Sequence, residues 1–543
     1  MHDLIGEAAE RLLPRPIARV LHGRVAAWLA PRNASAARLA HHLLCSGDEA
    51  AAVPHLAAAA RQAWHLGRSR ESRDAYLQAA AIEAGRGRAT AAFDLLYECA
   101  EAIATLGPRE AFDGVVERMA AFAGDPSRQA RLMYMQVHCL YQRGDHEGFF
   151  ARMDDVLARA VDVGDRLVQA ECRYAKGNDA LQSGRLHEAI GHIRAAAALH
   201  RDEGREQRAI VIEGSARTAA LWTGQARLML AEDRAAMPRI LEVGSSNARV
   251  SVQVRQAHAE LLLGDGDTAS LSARRAIEAL RGTDMNGADF ASSTRSIADV
   301  MRRRGHWGEA LAVVAEAEQR LPEQGDPDRW LAQTLAEVCL DLGRPDLAHR
   351  HIESFAGASG HPARLRQRTV ALRWAYSLAT GAPIDAAKAI ADAVASEHLL
   401  QACKLMLVGG QGGPSQASPR ACADLIGRCA PEGLREQLAP LHSLHAWLLA
   451  TEGNVAAAQA EIELAQQALL RGDPGAMTPL CGLWLARACR SLDLPAEAAR
   501  HARHAVAWLN ERVQRDVPAE FRDSFLHRHP VHRELRQVVG EAP

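Results

Sequence analysis

Histidines are the residues of this 543-residue chain best suited to bind a catalytic metal ion. His187, Glu188 and His192 approach the pattern of a zinc-hydrolase helix. The two histidines are five residues apart, however, which is about 140° around a helix, so they cannot bind one ion as an i, i+4 pair does. Two other groups are His501 with His504, and His527, His529 and His532. Neither has a cysteine or carboxylate cluster beside it, so the sequence predicts no metal site.

The sequence also gives little evidence for motifs that bind nucleotides or activate a nucleophile. The chain has no G-x-x-x-x-G-K-[ST] loop and no G-x-S-x-G elbow. Residues 264–269 fit the loose dinucleotide pattern G-x-G-x-x-A, but that motif follows a strand and residues 254–263 read as a helix. We therefore expect no cofactor and no enzyme. An enzyme with a site inside a helical toroid stays open as an alternative, and inward-facing paired carboxylates in a closed cavity would favour it.

The distribution of cysteines and of apolar residues indicates the cellular compartment. The ten cysteines are scattered and no C-x-x-C occurs, which indicates small thiols buried between helices rather than zinc ligands or disulfides. The amino terminus lacks the basic start and apolar core of a signal peptide, and no run approaches the roughly 18 apolar residues of a membrane helix. The expectation is a cytoplasmic protein that makes no contact with a membrane.

Charge argues against nucleic acid as a direct partner. Lys plus Arg is 64 and Asp plus Glu is 66, so the net charge is −2 and no overall basic footprint is visible. Arg302, Arg303 and Arg304 form the one notable basic run, which we interpret as a solvated helix end. A DNA-binding transcription activator remains the rival function, and a salt-dependent shift of duplex DNA would favour it.

The helices that must position any site can be predicted from a sequence pattern that recurs about every 40 residues. A glycine is followed five, nine and twelve residues later by a small, an apolar and another small or apolar residue, as in Gly184, Ala189, Ile193 and Ala196. These offsets lie on one helix face, and glycine suits the left-handed end of the preceding helix. The register comprises Gly67, Gly107, Gly144, Gly184, Gly224, Gly264, Gly305, Gly343, Gly381, Gly453 and Asp493.

A second small residue stands seven positions before most of these glycines, as at Gly177 and Ala257, and would allow close contact on the first helix. Val137, Arg217 and Trp374 break this rule, so we expect less regular packing there. The whole pattern predicts a stack of helical hairpins in which each hairpin packs only against its neighbours.

The sequence pattern resembles the tetratricopeptide repeat, although 40 residues exceeds its usual period of about 34. The resemblance implies an all-α, TPR-like α-solenoid, a right-handed superhelix of helical hairpins. The predicted divisions are a helical lead-in at 1–33, a repeat array at 34–408, a flexible linker at 409–420, further repeats at 421–510, and a capping helix and tail at 511–543.

Both ends are similar to the C-terminal region of bacterial STAND-type ATPases, including LuxR-type and SARP-type transcriptional regulators. His2–Ile5 and Leu21–Ala26 resemble the stretch where the ATPase module passes into the repeats, and Val517–Leu535 resembles the terminal signature. The resemblance implies a sensor or scaffold in a transcription-related assembly. Complete members also carry a nucleotidase domain, but these 543 residues contain no phosphate-binding loop, so we expect neither ATP hydrolysis nor DNA binding from them.

The partner surface is expected on the first helix of each hairpin, which lines the concave face in such arrays. Tyrosine, with its one polar end, is enriched at recognition surfaces. Three of the six tyrosines fall in one strip there, and the predicted partner is a protein, a peptide or a small effector. The alternative is that these residues only pack between helices. The strip comprises Arg131, Tyr134, His138, Tyr141, Glu171, Tyr174, Asn178, Thr218 and Trp222.

Overall fold

The computed structural model describes residues 13–32, 34–65, 68–104, 109–143, 145–243, 246–283, 287–321, 329–354 and 362–540. These residues form 28 α-helices and no strand, with consecutive helices packed in pairs. The fold is therefore the predicted all-α, TPR-like solenoid of helical hairpins. Within the described residues, no helix combines the length and apolar character needed to cross a membrane.

The described chain comprises two compact units, Met1–Cys172 and Arg173–Pro543. The helices of the first unit are α1 (Arg15–Leu29), α2 (Ala36–Ser46), α3 (Glu49–His65), α4 (Ser69–Gly85), α5 (Ala89–Ala104), α6 (Arg109–Ala120), α7 (Pro126–Gln142) and α8 (His146–Asp162). Helix α9 (Arg166–Gln182) contains the division between the units.

The second unit continues with α10 (Leu186–Asp202), α11 (Glu206–Trp222), α12 (Ala226–Val243), α13 (Ser246–Leu262), α14 (Gly266–Arg281), α15 (Gly287–Arg303), α16 (Trp307–Arg320), α17 (Trp330–Asp341), α18 (Pro345–Glu353) and α19 (Pro362–Ala379). Its remaining helices are α20 (Ala387–Val394), α21 (Leu399–Gly410), α22 (Pro419–Glu432), α23 (Arg435–Thr451), α24 (Val455–Arg471), α25 (Thr478–Ser491), α26 (Pro495–Arg515), α27 (Arg522–His527) and α28 (Pro530–Val539).

The turn glycines have the predicted left-handed backbone. Gly184, Gly224, Gly264, Gly305, Gly343, Gly381 and Gly453 have φ between 71° and 96°, and Asp493 adopts φ 57° in the same role. The small positions are buried as expected: Ala189, Ile193 and Ala196 are fully buried. A Cβ added to Gly177 would lie 2.5 Å from Ile193 Cγ1, so glycine there permits the close helix contact. Gly67, Gly107 and Gly144 lie outside the described residues.

Arg217, which breaks the small-residue rule, has a specific replacement partner. Asp233 occupies the position nine residues after Gly224, where other repeats have an apolar residue, and it is fully buried. Its Oδ1 lies 3.4 Å from Arg217 Nη1, and Arg255 donates two hydrogen bonds of 3.0 Å to the same carboxylate. An ion pair thus replaces the small-to-apolar contact of the other repeats.

The first unit follows the expected nearest-neighbour packing. The main helix contacts of α1–α8 join helices that are adjacent or next but one along the chain. Gly87 and Gly164, which form left-handed turns, would have nothing within 4 Å of an added Cβ. Here each hairpin depends on the ones beside it, as in a one-dimensional stack.

The second unit departs from that expectation. Its leading repeats, defined here as residues 186–353, also pack against its trailing repeats, residues 397–539. A Cβ added to Gly224 would lie 2.7 Å from Leu399 Cδ2, and Gly264 and Gly343 contact Arg435 and Ser524 in the same way. The prediction that every hairpin contacts only its neighbours is wrong for this unit, because its turn glycines also serve as contact points for helices far along the chain.

The segment predicted as a flexible linker, 409–420, lies within this packing. Gly409 and Gly410 are buried at the end of α21. A Cβ added to either would lie less than 3 Å from Ile390 or Leu444, so both are tightly packed. A short 3₁₀ turn follows at Pro414–Gln416, and Gln416 Oε1 accepts a hydrogen bond of 2.8 Å from the Ala386 amide. The predicted domain boundaries stay a prediction.

Candidate partner-binding surface

Helix α7 brings four of the predicted strip residues onto one face. Asp125 caps its start by accepting a hydrogen bond of 2.8 Å from the Arg128 amide, and Pro126 occupies its first turn. Tyr134, His138 and Tyr141 follow at spacings of four and three residues, which places them along one side of a helix. The ring centroids of His138 lie 6.0 Å from Tyr134 and 5.6 Å from Tyr141, with interplanar angles of 29° and 15°. We call these three stacked rings the aromatic ladder.

Burial changes along the ladder. Tyr134 is 7% exposed and belongs to the core, whereas Tyr141 is 36% exposed. Phe112 and Phe149 support the ladder from the neighbouring helices, with their rings edge-on to His138 at 5.4 and 5.7 Å. The ladder is thus held rigidly at one end and presents a ring to solvent at the other.

Arg131 adds a positive charge to the same face of α7. Its Nε donates a hydrogen bond of 2.7 Å to Asp165 Oδ2, and its Nη1 lies 3.6 Å from Asp94 Oδ1. Its guanidinium also lies 5.6 Å from the ring centroid of Tyr97. Ser127 donates a further hydrogen bond of 2.5 Å to Asp165 Oδ2. The arginine is therefore fixed in position, with about a quarter of its side chain exposed.

An open groove of about 580 Å³ lies beside this face, where α5 and α7 begin and α6 ends. Arg88, Thr90, Asp94, Phe122 and Arg128 are among the residues that line it. Arg128 Nη1 donates a hydrogen bond of 2.8 Å to Thr90 Oγ1. Burial raises the pKa of the Asp94 carboxyl, although Arg131 and Arg128 oppose that shift. The groove therefore combines an apolar ring with charges of both signs.

The other predicted residues are less uniform. Glu171, on α9 in the first unit, is buried. In the second unit, the Tyr174 hydroxyl lies 3.5 Å from Ser215 Oγ and its ring lies 5.3 Å from the Arg208 guanidinium, while Asn178 is partly buried. Thr218 Oγ1 donates to the Gly214 carbonyl one turn earlier at 3.0 Å. The strip as one continuous surface stays a prediction.

Trp222 has a structural contact that the sequence did not reveal. Its indole stacks on His398, with centroids 5.2 Å apart and planes 14° from parallel, so it joins the leading to the trailing repeats. Burial lowers the pKa of His398 to about 4. Packing within the fold is therefore an established role of this tryptophan, and no periodic signal marked its partner 176 residues away in the sequence.

Arg302, Arg303 and Arg304 do not form a solvated helix end, so that interpretation is wrong. Arg302 and Arg303 end α15, Arg304 begins the turn after it, and all three lie among carboxylates. Arg302 donates to Asp299 and Asp341 at 2.9 Å, Arg303 Nε donates to Glu436 Oε1 at 2.9 Å, and Arg304 donates to Asp473 at 3.0 Å. The packing of the trailing repeats against this helix end removes the arginines from water.

The same cluster contains paired buried carboxylates, the feature that would favour an enzyme. Glu337 accepts a hydrogen bond of 2.8 Å from Lys404, and Asp341 accepts from Arg302 and, at 3.1 Å, from the Trp307 indole. Lys404 and Arg302 lower the pKa of Glu337 to about 2 against the opposing effect of burial. These carboxylates are bound by cations of the chain itself, as in a structural ion-pair network.

The histidines considered for metal binding also take structural positions. The rings of His529 and His532 stack with centroids 3.9 Å apart, and His532 Nδ1 lies 2.7 Å from the Phe525 carbonyl oxygen. Burial lowers the pKa of His529 to about 4. Gln466 Nε2 lies 3.2 Å from His501 Nε2, whereas His504 is exposed.

No family model and no curated protein matches this chain. Among solved structures, the chain is similar to one from the APC/C hetero-tetramer Cut9-Hcn1, at 11% identity and a TM-score of 0.41, covering 97% of this chain and 95% of that one. It is also similar to a circular tandem repeat protein with novel repeat topology, at 14% identity and a TM-score of 0.13, covering 97% and 98%. The fold assignment rests on the helices, turns and packing described above.

Proposed function

We propose that this protein is a scaffold that binds an extended peptide segment of a partner protein at the aromatic ladder and the adjoining groove. The observation that carries the proposal is that Tyr141 is 36% exposed at the end of a ladder whose other end is buried. A rigid aromatic side chain offers contact area at a low cost in conformational entropy. Arg131 on α7, with Asp94 of α5 3.6 Å away, supplies charges for orienting a polar chain.

A peptide suits this surface better than a small effector does. Small-molecule sites are concave and typically bury about 70–90% of the ligand surface. The groove here is open, and it continues the charged start of α7 rather than enclosing a cavity. An extended chain could place one side chain against Phe122 and another against Tyr141.

Recognition rather than catalysis is the proposed mode of action. The titratable groups that could form a reaction centre, Glu337 and Asp341 above all, are bound by Arg302 and Lys404 inside the fold. Direct DNA binding receives no support from the arginine run either, since its members pair with carboxylates. The rival activator function predicts a salt-dependent shift of duplex DNA, and we expect none.

The regulatory context is a finer part of the proposal and rests on the resemblance of the two ends to STAND-type regulators. His2–Ile5, which carry part of that resemblance, lie outside the described residues. An open reading frame for a nucleotidase directly upstream of the gene would support a split regulator. Unrelated neighbouring genes in several genomes would count against that context and leave peptide binding untouched.

The test of peptide binding begins with a random peptide library displayed on phage and selected on the untagged full chain. The affinities of selected peptides are then measured by fluorescence anisotropy for wild type, Tyr141→Ala and Arg131→Gln. Each substitution should weaken binding about tenfold or more, the effect of a typical interface hot spot. Helicity and thermal midpoint, followed by circular dichroism, should stay close to wild type for Tyr141→Ala.

The matched control is Val161→Ala, which truncates an exposed apolar side chain on α8 of the same unit. It should leave peptide affinity unchanged. If selection yields no peptide, or if selected peptides bind Tyr141→Ala and wild type equally, the ladder is not the recognition surface. Tyr134→Ala is unsuitable as a probe, because Tyr134 is buried and its loss would destabilise the helix packing.

A further inference from the structure

Four potential metal ligands converge at the first described hairpin, away from the peptide surface. His22 lies on α1, and His41, His42 and Cys45 lie on α2. The ring centroids of His22 lie 5.9 Å from His41 and 5.1 Å from His42, and the two α2 rings are 5.4 Å apart. Ligand atoms of His22, His41 and Cys45 all lie within 4.8 Å of one another.

The hairpin itself brings these side chains together. Ala26, Leu29 and Leu39 form its buried core. A Cβ added to Gly23 would lie 3.7 Å from Ser46 Cβ, so the glycine next to His22 sits where the two helices approach closely. Arg19 Nε donates a hydrogen bond of 3.3 Å to the Ser46 carbonyl, and Gly47 ends α2 in the left-handed conformation. Convergence of the rings therefore follows from the packing of two helices.

The pairwise geometry suits coordination. His41 and Cys45 have the i, i+4 spacing that aligns two side chains on one helix face, and Cys45 Sγ lies 3.7 Å from His41 Nε2. Tetrahedral Zn²⁺ with bonds of about 2.3 Å to sulfur and 2.0–2.1 Å to nitrogen requires ligand atoms about 3.3–3.6 Å apart. Side-chain rotations would bring the ligand atoms of His22, His41 and Cys45, which lie within 4.8 Å of one another, into that range, and His42 must turn further to reach the same ion.

A close contact between two imidazole rings also favours a bound metal ion. His22 Nδ1 and His42 Nδ1 lie 2.8 Å apart, so one ring must donate to the other or both must turn towards a shared cation. Cys45 is partly exposed, whereas the other nine cysteines are buried. Imidazole and thiolate together favour a borderline-soft divalent ion.

We propose that His22, His41 and Cys45, with His42 as fourth ligand, bind a zinc-class divalent transition-metal ion. Binding releases the thiol proton and any imidazole proton from the ligand nitrogens, while the metal keeps its oxidation state. The ion would link α1 to α2 and thereby strengthen the first described hairpin. Its role is structural, since four protein ligands leave no open coordination position.

The test uses the untagged full chain, freed of metal with a chelator under reducing conditions and then titrated with Zn²⁺ in competition with a chromophoric chelator. We expect one tight equivalent per chain. Cys45→Ser and His41→Ala should each weaken it on the order of a hundredfold, because each removes a direct ligand. Co²⁺ in place of Zn²⁺ should give a tetrahedral visible spectrum with a thiolate charge-transfer band that Cys45→Ser abolishes.

The matched control is His504→Ala, which removes an exposed histidine spaced three residues from His501. It should leave the tight equivalent unchanged. Circular dichroism shows whether each variant is folded, and Cys45→Ser alters only one atom. The proposal is overturned if the wild type has no tight equivalent, if Cys45→Ser binds Zn²⁺ as tightly as wild type, or if bound Co²⁺ lacks the thiolate band.

Discussion

In the unit Met1–Cys172, helices pack on the next one or two along the chain, whereas in Arg173–Pro543 the leading repeats also pack against helices more than 100 residues away. The turn glycines display this difference at single positions. Gly87 in the first unit and Gly343 in the second have nearly the same φ, 72° and 71°. An added Cβ would meet nothing within 4 Å at Gly87, but would lie 2.3 Å from the Ser524 carbonyl oxygen at Gly343.

The two units therefore use the same repeat in two ways. Where turns and helix faces are open, as along α7, the repeat leaves side chains such as Tyr141 exposed. Where the trailing repeats cover the turns, the same elements become an internal interface that contains Arg303 with Glu436 and His306 with Asp516, 2.9 Å from Nδ1 to Oδ1. We expect the first unit to unfold in steps and the second as a more cooperative block.

The largest effect is expected from removing one partner of a buried ion pair between leading and trailing repeats. Glu436→Ala should lower the free energy of unfolding of the second unit by about 3 kcal/mol, because Arg303 would lose its hydrogen-bonded carboxylate and keep only Asp299, 3.6 Å away, as a partner. Urea denaturation of the full chain, followed by circular dichroism, measures the loss. Glu316→Ala, which breaks an exposed pair with Arg281, should cost less than about 1 kcal/mol. Equal losses in the two variants would refute the internal interface.

Substitution of Gly87 and Gly343, the two turn glycines compared above, should give the next largest effect. Gly87→Ala should cost about 1–2 kcal/mol, since only the left-handed backbone opposes a side chain. Gly343→Ala should cost about 1–3 kcal/mol more, because the new methyl group collides with backbone atoms of the trailing repeats. Thermal and urea midpoints of the two variants make the comparison. A smaller loss for Gly343→Ala than for Gly87→Ala would contradict the packing of the tail on this turn.

Acid should weaken the second unit through its buried histidines. The pKa values of His398 and His529 are lowered by burial to about 4, below the value of 6.5 in the unfolded chain. Between these values the unfolded state binds protons that the folded state does not, so stability falls as the pH drops from 6.5 towards 4. The full loss should be about 3 kcal/mol per histidine, since one pKa unit corresponds to about 1.4 kcal/mol.

His398→Asn tests this assignment, because asparagine can still cap α21 as His398 does by accepting from the Gln401 amide at 3.2 Å. Urea midpoints at pH 7 and pH 4.5 should differ less in the variant than in wild type. An unchanged difference would mean that His398 does not contribute to the acid sensitivity.

The smallest expected effect is a difference in the rate of thiol labelling between the two units, which is measured without any substitution. Burial raises the pKa values of Cys99 in the first unit and Cys481 in the second to about 12, so their intrinsic reactivities should match. At low urea, pulse labelling followed by peptide mass spectrometry should modify Cys99 before Cys481, because a one-dimensional stack opens locally. Labelling in the reverse order would show that the first unit is the more cooperative of the two.

The repeat fold could be predicted because its signals are local. Gly184 with Ala189 and Ile193, for example, specifies a turn and one buried helix face within ten residues. The candidate surface was predicted only in part: Arg131, Tyr134, His138 and Tyr141 share one face since they share one helix. Phe112 and Phe149, which support the ladder, follow no register of their own, and the sequence did not indicate that Trp222 would stack on His398.

By itself, the sequence determined the helices, their left-handed glycine turns and the small residues on the faces that touch, because 3.6-residue periodicity and backbone sterics act over a few residues. Only the tertiary structure decided that Arg302–Arg304 pair with carboxylates, that Asp233 compensates for Arg217, and that His22 meets His41 and Cys45. Each of these outcomes depends on which helices come together in space, and the contacts between leading and trailing repeats join residues up to 210 positions apart.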